Sequence, residues 1–220
     1  MKKAIFLFSF LFLGCSSISV VNSWKNPEIV LFDANKVLIV GLTPDSSIQE
    51  NFETKMQAEF ERFGVASMRS IDLFDIEFTS SEKSEAELNE FEELLIQRDF
   101  DAILFTKVIG FESKKTLGQK IDDFAKTIYG SFQEDYLSNQ KIYFEDEYRK
   151  EFMVYNLQTS LYCICVGKER ELIWRGTLDV NDKKNMKRVL NEYVDFIVDS
   201  LQKENIIFRD ALSYNASFGL

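Results

Sequence analysis

The clearest signal along the chain is a set of apolar runs separated by amphipathic stretches. KVLIVGL, 36–42, is continuous, apolar and rich in β-branched residues, the pattern of a strand buried on both faces. Ile48, Phe52, Met56, Phe60 and Phe63 then recur at helical spacing with Glu and Lys between them, predicting an amphipathic helix ended by Gly64. VASMRS, 65–70, is a second strand candidate. Ser84 and Glu87 have capping-box spacing, and Leu88, Phe91 and Leu95 form the stripe of a second helix. DAILFTKVIGF, 101–111, is the third strand.

From Glu112 to Lys150 the pattern weakens, and the segment reads as an elaborated loop, a peripheral hairpin or a partly mobile stretch. Residues 151–166 and 171–180 flank GKER and predict a hairpin. A last helix runs from about Lys183 to Lys203, with Met186, Leu190, Tyr193, Ile197 and Leu201 on one face and Asn181 or Asp182 as N-cap. The expected fold is therefore a single α/β domain with a mixed sheet: a βαβαβ parallel core, then an antiparallel hairpin and a C-terminal helix.

The N-terminus follows a different rule. MKKAIFLFSFLFLG has two lysines and then an uncharged run from Ala4 to Gly14. That run is too short to cross a bilayer core of about 30 Å and is apolar all round, so it reads as a secretory signal. Phe12 stands where an ordinary cleavage site needs a small residue, whereas a cut after Gly14 would leave Cys15 as the new N-terminus. LFLGC resembles the lipobox of bacterial lipoproteins, with Leu11 one place further from the cysteine than usual. That resemblance implies a diacylglycerol on the Cys15 sulfur and an acyl group on its amine; an uncleaved anchor or simple secretion are the alternatives. Two or more acyl chains attach a protein stably where one is marginal. Ser16 follows Cys15 and no Asp occurs before Asp33, which by likeness to lipoprotein sorting favours a periplasm-facing place on the outer membrane over the inner membrane or the cell surface. Residues 1–14 are thus expected as signal, 15–34 as lipidated N-terminus and tether, 35–205 as the domain and 206–220 as a loosely held tail.

Charge and composition then narrow the functions. Losing Lys2 and Lys3 from 26 basic residues leaves 24 against 36 acidic ones, a formal charge of −12 for residues 15–220. Such a chain is unsuited to nucleic acid, and its membrane contact is expected to come from the acyl chains. There is no histidine, which removes Ser-His-Asp and Cys-His nucleophile systems. Cys163 and Cys165 alternate in a strand-like stretch, with side chains on one face and poorly aimed for a mutual disulfide. They are expected as two buried thiols, a redox role being the alternative, and no metal or cofactor is expected beyond the lipid on Cys15.

Three motifs bear on chemistry. VLIVGLTPDSS sits where a phosphate loop would, but it has one glycine and no Lys-Ser or Lys-Thr pair. DVNDKKN, 179–185, lacks the glycine and the bidentate glutamate of a calcium loop. Tyr143, Glu145, Asp146, Glu147 and Tyr148 put carboxylates beside aromatic rings, a composition able to take a sugar or a cation; Tyr143, Glu145, Glu147 and Tyr148 are the candidate binding residues.

SWKNP (23–27), KVLIVGL (36–42), DAILFTKVIG (101–110) and LYCICVGKERELIWRG (161–176) together resemble a family of small bacterial envelope lipoproteins of uncharacterised function. In that family a Trp-x-Asp/Asn-Pro stretch precedes the first strand and an LY...G...W hairpin comes late. Members commonly have Asp where this chain has Cys163. The resemblance implies an α/β sandwich like the periplasmic domains of envelope-assembly lipoproteins, and it carries over no catalytic residue. The expected function is that of a lipid-anchored, non-enzymatic protein working through contacts with an envelope protein partner in assembly or maintenance. The alternative is a carboxylate-dependent enzyme or glycan-binding module using residues 112–150.

Overall fold

The computed structural model describes residues 17–74, 82–109, 130–141, 156–164, 171–180 and 185–208. In chain order the elements are β1 (Ile18–Lys25), β2 (Lys36–Leu42), α1 (Ser46–Arg62), β3 (Ala66–Arg69), α2 (Ser70–Leu73), α3 (Glu85–Gln97), β4 (Ala102–Ile109), α4 (Phe132–Asn139), β5 (Asn156–Cys163), β6 (Leu172–Val180) and α5 (Met186–Lys203). The six strands form one mixed sheet in the order β1-β6-β5-β4-β2-β3. β3, β2 and β4 are parallel, and β5, β6 and β1 continue the sheet antiparallel. The parallel core, the hairpin and the C-terminal helix are those the periodicity predicts.

Each face of the sheet carries its own core. Alternation along β2 sends Val37 and Ile39 to one side, with Phe52, Met56 and Phe60 of α1 and Val189, Tyr193 and Ile197 of α5. Leu38, Val40 and Leu42 go to the other, with Leu88, Phe91 and Leu95 of α3 and Phe132 and Tyr136 of α4. The helices start where side chains satisfy their free amides. Asp45 accepts from the N–H groups of Ser47 and Ile48 at α1. Ser84 and Glu87 form the expected capping box at α3, and Ser131 and Glu134 a second one at α4. The α5 cap is Asn185, which accepts from the N–H of Arg188; Asn181 and Asp182 lie outside the described residues.

Three segments differ from the expected division of the chain. Part of the supposed tether is a strand: Ile18–Lys25 pairs antiparallel with β6, Ile18 opposite Val180 and Lys25 opposite Trp174, with a bulge between Val20 and Asn22. SVVNSWK alternates too weakly to reveal an edge strand with one face exposed, so its strand character appears only through its partner. Trp24 packs on the core of the α3–α4 face.

The tail also begins inside the core. Ile206, Ile207 and Phe208 are buried, Ile206 bridges Phe32, and the ring of Phe208 lies 4.8 Å from Phe60 and 4.9 Å from Phe63. To turn there, Ile207 takes φ 57°, and Phe208 N–H donates back to the Ile206 carbonyl at 2.6 Å. A β-branched residue in that region is strained by roughly 1–3 kcal/mol, and burial of Phe208 offsets the strain.

Within 112–150, Phe132–Asn139 is the helix α4, whose Phe132, Asp135 and Tyr136 face inward. A helix of two turns with one acidic residue on its buried side leaves almost no stripe to read.

Phe208→Ala should lower stability by about 3–5 kcal/mol in urea denaturation. An unchanged midpoint would show that the segment after α5 is not part of the core.

Candidate functional site

The polar interior is where chemistry would reside, and among the described residues two charged, hydrogen-bonded centres stand out. The first lies on the α3–α4 face. Lys107 of β4, Ser160 and Tyr162 of β5 and Arg175 of β6 project to one side of neighbouring antiparallel strands, and Asp135 of α4 comes down on them. Arg175 Nη2 donates to Asp135 Oδ2 at 2.9 Å and to the Tyr162 hydroxyl at 2.7 Å, and its Nε donates to Ser160 Oγ at 2.8 Å. The Tyr162 hydroxyl donates to Asp135 Oδ2 at 2.5 Å, while Lys107 Nζ donates to Oδ1. One carboxylate therefore answers two cations and a phenol.

Burial makes this arrangement obligatory. The Arg175, Asp135 and Lys107 side chains are only 0%, 2% and 6% exposed. Desolvation lowers the affinity of Lys107 for its proton, Asp135 opposes that shift and Arg175 adds to it. Burial, then the Asp135 charge, holds the Tyr162 phenol well above its ordinary value of 10.0, so it remains a donor. Trp24 stands opposite Arg175 in the β1–β6 register and covers its flank. The cluster binds α4 to three strands.

The second centre is the Glu53 carboxylate of α1, at the carboxyl end of β2. Oε1 accepts from Gly41 N–H at 2.8 Å, Gln49 Nε2 at 3.1 Å and Ser70 Oγ at 2.6 Å, and Oε2 accepts from Ile71 N–H at 3.2 Å. All four donors are neutral, and desolvation outweighs them, so the carboxyl is raised above its ordinary 4.5. A Cβ at Gly41 would sit 3.3 Å from the Phe52 ring and 3.4 Å from Glu53 Oε1, a tight fit that a side-chain shift of a few tenths of an ångström would relieve.

Between the two centres, Thr106, Thr159 and Tyr193 form a chain of hydroxyls under α5. Next to them a cleft opens at the ends of β2 and β4, lined by Gly41, Gln49, Thr106, Lys107, Leu190 and Tyr193 among others. Its cavity volume is about 20 Å³. That is below the roughly 300–1,000 Å³ of ordinary ligand sites. Among the described residues no group of three or more His, Cys, Asp or Glu is placed to hold a metal ion.

The residues named from sequence, Gly14, Cys15, Tyr143, Glu145, Glu147 and Tyr148, lie outside the described residues. Cys163 is buried as expected but is disulfide-bonded, with its partner outside the described residues. Strand alternation through 166 would hold the two thiols on one face and poorly aimed at each other, but β5 ends at Cys163. Sequence reasoning missed Glu53, Lys107, Asp135 and Arg175. A signal existed for three of them. Lys107 stands just past the apolar run AILF of its strand, Arg175 directly follows LIW, and Glu53 shares the helical face of Met56 and Phe60.

No family model matches the chain, and no curated protein matches it. Among solved structures it is similar to the crystal structure of lipoprotein GNA1162 from Neisseria meningitidis, at 14% identity and a TM-score of 0.37, over 76% of this chain and 96% of that one. A likeness of that size leaves the functional reading to this chain's own residues.

Asp135→Asn strips the shared carboxylate from Lys107 and Arg175 and should cost about 3–5 kcal/mol in chemical denaturation. A loss below about 1 kcal/mol would show that another group holds the two cations. Glu53 gives a pH signature. Its folded form holds the proton more tightly than the unfolded one, so its contribution favours folding at and below 4.5 and fades as pH rises through the raised folded value. The stability difference between wild type and Glu53→Gln should therefore shift against wild type as pH rises from 4.5 toward neutrality. A difference flat across that window, in denaturation series at stepped pH, would contradict the assignment.

Proposed function

We propose that this chain is a lipid-anchored, non-enzymatic envelope protein, held on the periplasmic side of the outer membrane through acyl chains on Cys15 and acting through contacts with another envelope protein in assembly or maintenance. The observation that carries the reading is LFLGC, an uncharged run ending in Gly14-Cys15 behind two lysines. Other features support it. Among the described residues no helix is long and apolar enough to cross a membrane. The disulfide at Cys163 suits an oxidising compartment outside the cytoplasm. The buried groups Lys107, Asp135, Arg175 and Glu53 are engaged in joining elements, which fits a scaffold better than a reacting centre. Val30 and Leu31, adjacent in the loop between β1 and β2, are 81% and 50% exposed, an apolar pair suited to a protein contact.

Cys15→Ser should leave the precursor unprocessed or release the protein from membranes, read by fractionation and gel mobility. Intact mass of the native protein should begin at Cys15 and carry the acyl groups. Normal processing with unchanged membrane partitioning in the variant would overturn the reading.

A further inference from the structure

The register of β1 has a consequence for how an anchored domain would sit. Ser17 N–H donates to Glu192 Oε2 of α5 at 2.8 Å, Ser17 is buried, and Ile18 is already paired with Val180. Only Ser16 separates Ser17 from Cys15. Two peptide links reach at most about 7 Å. The headgroup layer of one leaflet is roughly 5–8 Å deep, the difference between the whole bilayer and its hydrocarbon core shared between two sides. A lipid on Cys15 thus brings Ser17 to the outer boundary of the headgroups, with no slack for the domain to move away.

We propose that the end of the sheet where Ile18 pairs with Val180 and Asp179 pairs with Asn156 rests against the bilayer surface, the surrounding lipid headgroups being its partner. This inference rests on the anchor reading above and adds to it an orientation. The register places on the same end the carboxyl ends of β2 and β4, where Leu42 pairs with Lys107, and the start of α5. Lys187 and Arg188 are exposed in the first turn of α5, which meets the headgroups, and Arg188 also pairs with Glu192, the residue that holds Ser17. Asp45 and Asp179 lie at this end too, so the short leash rather than net charge fixes the contact. At about 3.3 Å per residue, the eight residues of β1 carry the chain roughly 25 Å along the sheet. Lys25, and the loop with Val30 and Leu31, therefore mark the opposite end, turned to the periplasm.

Photocrosslinking in intact membranes tests the orientation. A benzoylphenylalanine at position 187 should give several-fold more lipid adduct, by mass spectrometry, than one at position 30. Inserting a flexible Gly-Ser segment of about 20 residues between Ser16 and Ser17 should reduce the adduct at 187 to the level at 30 while the protein stays in the membrane fraction. The same mass spectra report acylation of Cys15, which separates the two readings. A protein without acyl groups overturns the anchor and the orientation together. An acylated protein with equal adduct at both positions, or with adduct at 187 that the insertion leaves unchanged, overturns the orientation alone.

Discussion

The pairing of β1 with β6 is the interaction on which the rest of the molecule depends. Without β1, β6 would be an open edge, and Arg175 on that strand would have one flank in water. With β1 in place Trp24 lies against that flank, and α4 closes over the face. Arg175 then has to be answered from inside the protein. Asp135 supplies the charge, Tyr162 and Ser160 supply the remaining acceptors, and Lys107 joins because its strand presents it to the same carboxylate. One edge strand therefore sets the chemistry of the interior several strands away. Two cations and a phenol around one carboxylate hold four elements in register, at a desolvation cost that only good geometry offsets.

How much of this was legible in the sequence depended on how many positions carried each signal. β2, β4 and the helices α1, α3 and α5 each repeat their pattern over two or more turns or a full buried run, and they form as read. The elements that were misread are those whose character lies in a partner. β1 shows one exposed face and a bulge, α4 is two turns long, and Ile206–Phe208 has no periodicity, only a pocket made by Phe32, Phe60 and Phe63. The buried charges divide in the same way. Lys107 and Arg175 adjoin apolar runs of their strands and so announce themselves, while Asp135 looks like any acid in a polar region until α4 docks. The second polar centre adds a subtler case, because Glu53 is satisfied mostly by groups from elsewhere: the amides of Gly41 and Ile71 and the hydroxyl of Ser70.

The functional proposal joins these observations through one short piece of chain. A lipobox cysteine followed by a free tether would describe a domain able to roam above its membrane. Here the first strand begins three residues after that cysteine, and Ser17, the residue just before the strand, is pinned to α5. With a lipid on Cys15, anchor and fold would become one mechanical unit, and in the proposed orientation the cleft at the carboxyl ends of β2 and β4 would face the lipid and the apolar Val30–Leu31 loop would face outward. Any partner would meet the domain in a restricted set of orientations, which lowers the entropy lost on association.

Hydrogen exchange of the Ile18–Lys25 segment in the native, membrane-bound protein tests this account most directly. An edge strand donates with about half of its amides, so the account predicts that about half of them exchange slowly, on the timescale of the amides of β6. Exchange of the whole segment at the rate of an unstructured chain would contradict it, because the leash would then be long and the end of the sheet free of the membrane.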